Sequence, residues 1–229
     1  MAKINLIIPA AGTGQRMQSE QPKQYLQLNG LSLLGHSVSR FQEWASQYQH
    51  TLNTVVVLPK GDTLPSEVVG VVTCTGGASR ADSVFAGLKA LASLDALSED
   101  WVMVHDAARP LVLATDIERL YQTLVADEVG GILAEPITAT VKQAKANVIE
   151  KTLNRESLFL AQTPQMFRFG LLMQALIDCD RSQITDEAAA VEGLGLCPKV
   201  VLGSRQNIKI TVPEDLVFAQ SWLKHPSED

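Results

Sequence analysis

The strongest constraint in this chain is a series of short apolar runs, rich in Val and Ile, that alternate with helical patterns. "INLIIPA" (4–10), "TVVVLP" (54–59), "VVGVVTC" (68–74), "WVMVH" (101–105), "GGILAEPI" (130–137), "PKVVL" (198–202) and "NIKIT" (207–211) all have strand length. Runs this continuous suit strands buried on both faces, as in a parallel sheet. Parallel strands need crossovers, and the intervening segments read as helices. "SRADSVFAGLKAL" opens with a capping box, Ser79-x-x-Asp82, and lines Val84, Leu88 and Leu91 along one face. "TDIERLYQTLVA" carries the same signature at Thr115-x-x-Glu118, with Ile117, Leu120, Tyr121 and Leu124 as its stripe. "PEDLVFAQSWL" puts Pro213 at a first helical position with acidic residues in the first turn. The expected fold class is α/β, a Rossmann-like, mostly parallel, doubly wound sheet, with 1–229 as one domain.

Segment 137–155, "ITATVKQAKANVIEKTLNR", interrupts the alternation. Turn-like residues from Ala144 to Asn147 separate two β-prone pieces, which predicts a hairpin arm protruding from the main sheet. A lone two-stranded ribbon is marginal in water, so it packs either on a second subunit or against its own domain.

Charge narrows the partners. A net charge of −6 and a pI near 5.3 oppose binding of nucleic acid or anionic membrane, so any phosphate site must be a local cluster of basic side chains. No run has the length of a membrane span or a signal h-region, and a cytoplasmic location is expected. Cys74, Cys179 and Cys197 form no CxxC pair and suit reduced, buried thiols. The four histidines show no metal-ligand spacing, and His105 reads as a packing or hydrogen-bonding residue.

After the first run comes "AAGTGQRM", with Gly12-x-Gly14. A dinucleotide fingerprint needs a small residue where Met17 stands and an acidic residue about 20 positions later, and neither condition holds. No GxxxxGK[ST] loop is present either. What remains is a glycine-containing turn whose backbone N–H groups could cradle phosphate, with Arg16 and Lys23 nearby to neutralise it. The alternative is a turn that only reverses the chain beside two solvated cations.

"AAGTGQRM…PKQYL" resembles the triphosphate-wrapping loop of sugar-nucleotide pyrophosphorylases and cytidylyltransferases. "GGASRADSV" (76–84), "VHDAARP" (104–110), "TATVK" (138–142), "NRESLFLAQTPQ" (154–165), "TDEAAAVE" (185–192) and "NIKIT" follow in order. Together they resemble the 2-C-methyl-D-erythritol 4-phosphate cytidylyltransferase family over nearly the whole chain. That resemblance implies a nucleotide-diphospho-sugar transferase type of sheet with a protruding β-hairpin arm. It also implies CMP transfer from CTP to methylerythritol phosphate in the non-mevalonate isoprenoid pathway, a magnesium ion or another divalent cation, and a homodimer through the arm.

By the same resemblance, Ala10, Ala11, Gly12, Thr13 and Gly14 form the nucleotide loop, and Arg16 and Lys23 contact the CTP phosphates. Lys209 fixes the reacting phosphates, and Arg155 grips the methylerythritol phosphate with a planar fork suited to phosphate oxygens. Gly76 and Gly77 let the backbone approach the base or ribose. Ser83 bonds the nucleotide, or else only caps its helix. Asp106 binds a hydroxyl or holds Mg2+ directly or through water, with Arg109 beside it; read locally, it equally serves as a cap or as the ion-pair partner of Arg109. Thr140 and Thr163 lie near the second substrate or act simply as β-formers, and Lys209 read locally is a strand lysine facing water. The chain departs from the family pattern at Ala139, Asn154 and Phe159, which puts the orientation of Arg155 in question. Two rival functions stand beside this one: a cytidylyltransferase for another polyol phosphate such as ribitol 5-phosphate, and a non-catalytic nucleotide sensor.

Overall fold

The computed structural model describes residues 3–12, 17 and 21–224. In chain order its strands are β1 (Ile4–Pro9), β2 (Gln27–Leu28), β3 (Leu31–Ser32), β4 (Leu52–Leu58), β5 (Val72–Thr75) and β6 (Trp101–Val104). There follow β7 (Gly130–Pro136), β8 (Val141–Lys145), β9 (Val148–Leu153), β10 (Phe159–Arg168) and β11 (Lys199–Leu202). The helices are α1 (Leu33–Gln47), α2 (Arg80–Ala92), α3 (Ala114–Leu124), α4 (Phe169–Asp178), α5 (Glu187–Glu192) and α6 (Pro213–Lys224). Seven strands form the main sheet in the order β11-β7-β10-β6-β1-β4-β5. All neighbours run parallel except β10, which is antiparallel to both β6 and β7.

The uninterrupted apolar runs do what their composition predicts. Leu6, Ile8, Val56 and Met103 pack on one side with Phe41, Trp44, Ile117 and Leu120 from α1 and α3. Ile7, Val55, Val57, Val102 and Val104 pack on the other with Val84, Leu88 and Leu172 from α2 and α4. Burying a side chain such as Leu6 or Ile7 contributes about 1.5–3 kcal/mol of transfer free energy.

The capping box of α2 is present in both directions, Ser79 accepting from the Asp82 N–H and Asp82 from the Ser79 N–H. The second expected box is not formed. α3 starts at Ala114 with Leu113 as its N-cap and no side-chain cap, so Thr115 lies inside the helix. Glu118 instead takes the Trp44 indole N–H at 2.8 Å and sits 3.0 Å from His50 Nε2. The run 68–74 is also shorter as a strand than its apolar content suggests, because Gly70, at φ +72°, breaks it before β5 begins.

Segment 207–211 is not a strand. Ile210 donates to the Ala108 carbonyl at 2.8 Å, but no ladder forms. Its apolar alternation serves a third, smaller core, in which Ile208 and Ile210 pack near Leu28, Leu33 and Leu111.

Neither α1 nor β10 is among the elements expected from periodicity. β10 reads "FLAQTPQMFR", half polar and broken by Pro164, which has no N–H to give a central strand. The ladder with β7 shifts register between Ala161 and Gln165, around that proline. The arm is formed as expected: among the described residues β8 and β9 pair only with each other, joined by a two-residue turn with Ala146 (φ 47°) and Asn147 (φ 64°) both left-handed.

A buried polar tie joins the end of β6 to the middle of β10. The Asp106 N–H donates to Thr163 Oγ1 at 3.0 Å, and the Thr163 hydroxyl lies 3.1 Å from His105 Nδ1. His105 Nε2 is 3.1 Å from the Arg109 carbonyl, which can only accept, so Nε2 carries the proton and Nδ1 accepts from Thr163. Burial pushes the His105 imidazole from 6.5 down to about 4.

The unfolded histidine therefore takes up a proton at a pH where the folded one does not. Its contribution is full above about pH 6.5 and is lost as pH falls toward about 4. Between pH 7.5 and 5 this residue alone should lower stability by about 2 kcal/mol. Urea denaturation of the wild type and of His105→Asn checks this: the difference between the two pH values should shrink by that amount in the variant.

Candidate active site

From the carboxyl end of β1 the chain crosses to β4 on one side, while β6 lies on the other, which makes this end the switch point of the sheet. A cavity of about 290 Å³ opens there. Ala10, Ala11 and Gly12 after β1 line it, together with the start of α2, Asp106 after β6, Lys23 and Lys209. A second cavity of about 220 Å³, bounded by Arg109, Gln162 and Thr163, lies alongside. Arg80, Asp106 and Lys209 line both.

That common wall is an ion network. The Arg80 Nε donates to Asp106 Oδ1 at 2.9 Å, and Lys209 Nζ lies 2.8 Å from Oδ2. Arg109 Nε stands 3.7 Å from the same oxygen. Burial alone would raise the Asp106 carboxyl, but Arg80, Lys209 and Arg109 outweigh it and hold the group well below the usual carboxylate range. Asp106 is therefore a fixed negative charge at neutral pH. Behind it, Glu187, at the start of α5 and 1% exposed, holds both terminal nitrogens of Arg80 at 2.6 and 3.0 Å.

Local folding explains why the lysines point where they do. Lys209 stands between the half-buried Ile208 and the buried Ile210, and the packing of those two neighbours turns it toward the cavities. Arg109 anchors the same segment by donating to the Asn207 carbonyl at 2.6 Å and to the Ala161 carbonyl at 3.1 Å. The Asn207 amide in turn donates to the Thr163 carbonyl at 2.8 Å. Arg109 thus borders the second cavity while two of its nitrogens tie chain segments together. Lys23 enters from a single 3-10 turn, Lys23–Tyr25, and its charge helps to lower the Asp215 carboxyl at the start of α6 after burial and backbone hydrogen bonds have acted on it.

The glycines have a steric reason. A Cβ on Gly76 would come within 2.6 Å of the Ala11 Cβ, and one on Gly77 within 2.4 Å of the Asp82 Cβ. Gly77 lines the first cavity, whereas Gly76 lies beneath it against Ala11. Ser83 also lines this cavity, but its hydroxyl donates to the Ser79 carbonyl at 3.0 Å and accepts from the Gly77 N–H at 3.3 Å. Thr163 borders the second cavity.

Direct metal ligation by Asp106 does not fit this arrangement. Each of its oxygens already faces a cation that would repel a metal ion, and among the described residues no three His, Cys, Asp or Glu side chains gather into a possible metal site.

Lys23 and Lys209 are thus brought into one cavity together with Ala10, Ala11, Gly12, Gly77, Ser83 and Asp106. Thr13, Gly14 and Arg16 lie outside the described residues. Arg155 and Thr140 are exposed on the arm and border neither cavity of their own chain. Arg155 donates to the Thr138 carbonyl. Asn154, where the family pattern has an acid, accepts from the Glu156 N–H at 3.2 Å in a local turn. Ala139 is exposed, and Phe159 is 39% exposed.

Arg80 and Glu187 escaped the reading of the sequence, although both lie in quoted motifs. One signal was available: Arg80 is the first residue of α2, where a cation opposes the helix dipole and needs a compensating anion.

Comparison with known proteins places the chain in a family. The family model described as 2-C-methyl-D-erythritol 4-phosphate cytidylyltransferase matches residues 4–225. A protein of that name from Vibrio parahaemolyticus serotype O3:K6 (strain RIMD 2210633) is 44% identical over 95% of this chain and 94% of its own length. One from Pseudomonas putida (strain W619) is also 44% identical, over 95% and 93%. A crystal structure of 4-diphosphocytidyl-2C-methyl-D-erythritol synthase superposes with a TM-score of 0.83 at 34% identity, covering 97% of this chain and 99% of that one. The cytidylyltransferase structure from Francisella tularensis gives 0.80 at 36% identity, over 96% and 99%. The chain belongs to the 2-C-methyl-D-erythritol 4-phosphate cytidylyltransferase family.

Proposed function

We propose that this chain transfers CMP from CTP to 2-C-methyl-D-erythritol 4-phosphate, giving CDP-methylerythritol and pyrophosphate on the route to isoprenoid precursors. The observation that carries this is the pair of cavities sharing one charged wall, Arg80–Asp106–Lys209, with Lys23 in the first of them. The first holds the nucleotide against the glycine-containing turn, and the second holds the polyol phosphate.

In the reaction a phosphate oxygen of the acceptor bonds to the α-phosphorus of CTP while the bond to the bridging oxygen of pyrophosphate breaks. Both partners are anionic, so in-line positioning and cations are what the protein supplies, and no nucleophilic side chain is required. Lys23 and Lys209 are placed for this, and Arg16 joins them by the family resemblance. Asp106 keeps Lys209 on the wall and offers its remaining lone pairs to an acceptor hydroxyl.

A divalent cation would be held by the CTP phosphates rather than by Asp106, and would supply charge neutralisation of the triphosphate. The enzyme forms a homodimer through the 137–155 arm. Supporting this, the arm strands pair with no other strand among the described residues, and Val148 and Ile149 at its tip are 68% and 61% exposed. Arg155 and Thr140 then serve a site only where a second copy brings them to it. Cys74 and Cys179 are half-buried and Cys197 is exposed, rather than buried as expected, and such free thiols suit a cytoplasmic enzyme built as one catalytic domain.

Pyrophosphate release from CTP, measured with a panel of polyol phosphates, tests the activity. Turnover is expected with methylerythritol phosphate; turnover only with ribitol 5-phosphate, or CTP binding without turnover of any acceptor, would overturn it. Lys23→Ala should lower kcat about a hundredfold, with CTP affinity falling about tenfold or less. Chelation with EDTA should abolish turnover and added Mg2+ restore it, while calorimetry of the nucleotide-free protein shows no Mg2+ binding. In sedimentation the intact chain should behave as a dimer, and a chain whose 141–153 ribbon is replaced by a short turn should be monomeric and impaired; a fully active monomer contradicts the arm's assignment.

A further inference from the structure

Glu187 borders neither cavity, yet it is 1% exposed and its carboxylate meets Arg80 edge to edge. A carboxylate buried this deeply carries a heavy desolvation cost unless it is paired and hydrogen-bonded. The pairing here is bidentate, the strongest form available to an arginine. It occupies the terminal edge of the guanidinium and leaves Nε as the atom that reaches Asp106 Oδ1. Asp106 Oδ2 is therefore open to Lys209, 2.8 Å away.

Without the Glu187 charge, Asp106, already bound through Nε, is the carboxylate in contact with the Arg80 guanidinium, and the freed terminal nitrogens can turn to it. A fork-on-fork contact there would bring a second guanidinium N–H onto Oδ2, where its positive charge competes with that of Lys209. The wall would also gain one uncompensated positive charge, which tightens the hold on anionic substrates and on departing pyrophosphate alike. Such uniform binding lowers KM without helping the transfer step.

We infer that Glu187 is a positioning residue: by holding the terminal edge of Arg80, it reserves one oxygen of Asp106 for Lys209 and so sets where the lysine stands during transfer. This rests on the assignment of Lys209 to the transfer reaction.

The test is a double-mutant cycle of Glu187→Gln and Lys209→Ala, combined with NMR of the Lys209 ammonium signal, identified by its loss in Lys209→Ala. Glu187→Gln should lower kcat about tenfold with KM for CTP unchanged or reduced, and should add little once Lys209 is gone, so the two losses do not multiply. In the ligand-free protein the ammonium signal should shift in Glu187→Gln. If that variant does not fold, Glu187→Asp, which keeps the charge but shortens the reach, replaces it in the same cycle. A kcat within twofold of wild type, losses that multiply, or an unmoved ammonium signal each overturns the inference. The NMR arm decides even if the wild type turns over no acceptor, an outcome that would count against the proposed function instead.

Discussion

A single buried carboxylate organises this molecule's working end. Asp106 sits at the carboxyl end of β6, 7% exposed, with cations from three separate parts of the chain around it. Arg80 comes from the start of α2, Arg109 from the turn after β6, and Lys209 from the segment before α6. Removing the Asp106 carboxylate would leave the largely buried Arg109 without its counter-charge, and breaking a buried pair in this way costs about 3–5 kcal/mol. Assembling the fold and assembling the electrostatic site are thus one process. The same contacts place local positive charge in a chain whose net charge is −6.

The network would be imprecise if its members hung from mobile supports, and apolar and neutral polar packing prevents this. Ile208 and Ile210 lock the backbone around Lys209, although no strand forms there. His105, kept neutral by burial, and Thr163 join β6 to β10 beside Asp106. Asn207 ties the lysine segment to the Thr163 carbonyl, and Arg109 holds the Asn207 carbonyl from the other side. Each cavity wall is therefore braced by contacts that no ligand has to make.

Much of this architecture is legible in the residues, and the failures have physical reasons. β1, β4 and β6 stand out because strands buried on both faces have no use for polar side chains. β10 is equally central, but Gln162, Thr163 and Gln165 face the site or its supporting network, and function overrides the apolar pattern. The stretch 207–211 misleads in the opposite sense: its alternation reflects packing of two isoleucines, and alternation alone does not require a ladder. Thr115 and Glu118 match a capping box by spacing, yet Glu118 is committed to Trp44 and His50 across the α1–α3 contact. The glycine turn, Asp106 and Lys209 could be found through the family resemblance. Arg80 and Glu187 could not be paired from sequence, because their contact spans 107 positions and neither motif points to the other.

The arm stands apart from the main sheet by its pairing. Its two strands pair with each other and carry Val148 and Ile149 in the open at their turn, although exposed apolar side chains also occur at Leu202 of β11 and Val217 of α6. Its base is self-sufficient, with Arg155 on the Thr138 carbonyl and Asn154 in a turn with Glu156. Loss of the family's acidic residues at positions 139 and 154 therefore leaves Arg155 held by backbone rather than by carboxylate. A backbone carbonyl grips a guanidinium less firmly than a carboxylate does, because it brings no charge to the contact. An arginine held that way yields more readily to a phosphate dianion. In the proposed dimer, the departures at 139 and 154 would make Arg155 easier to recruit to substrate, at the expense of its orientation beforehand.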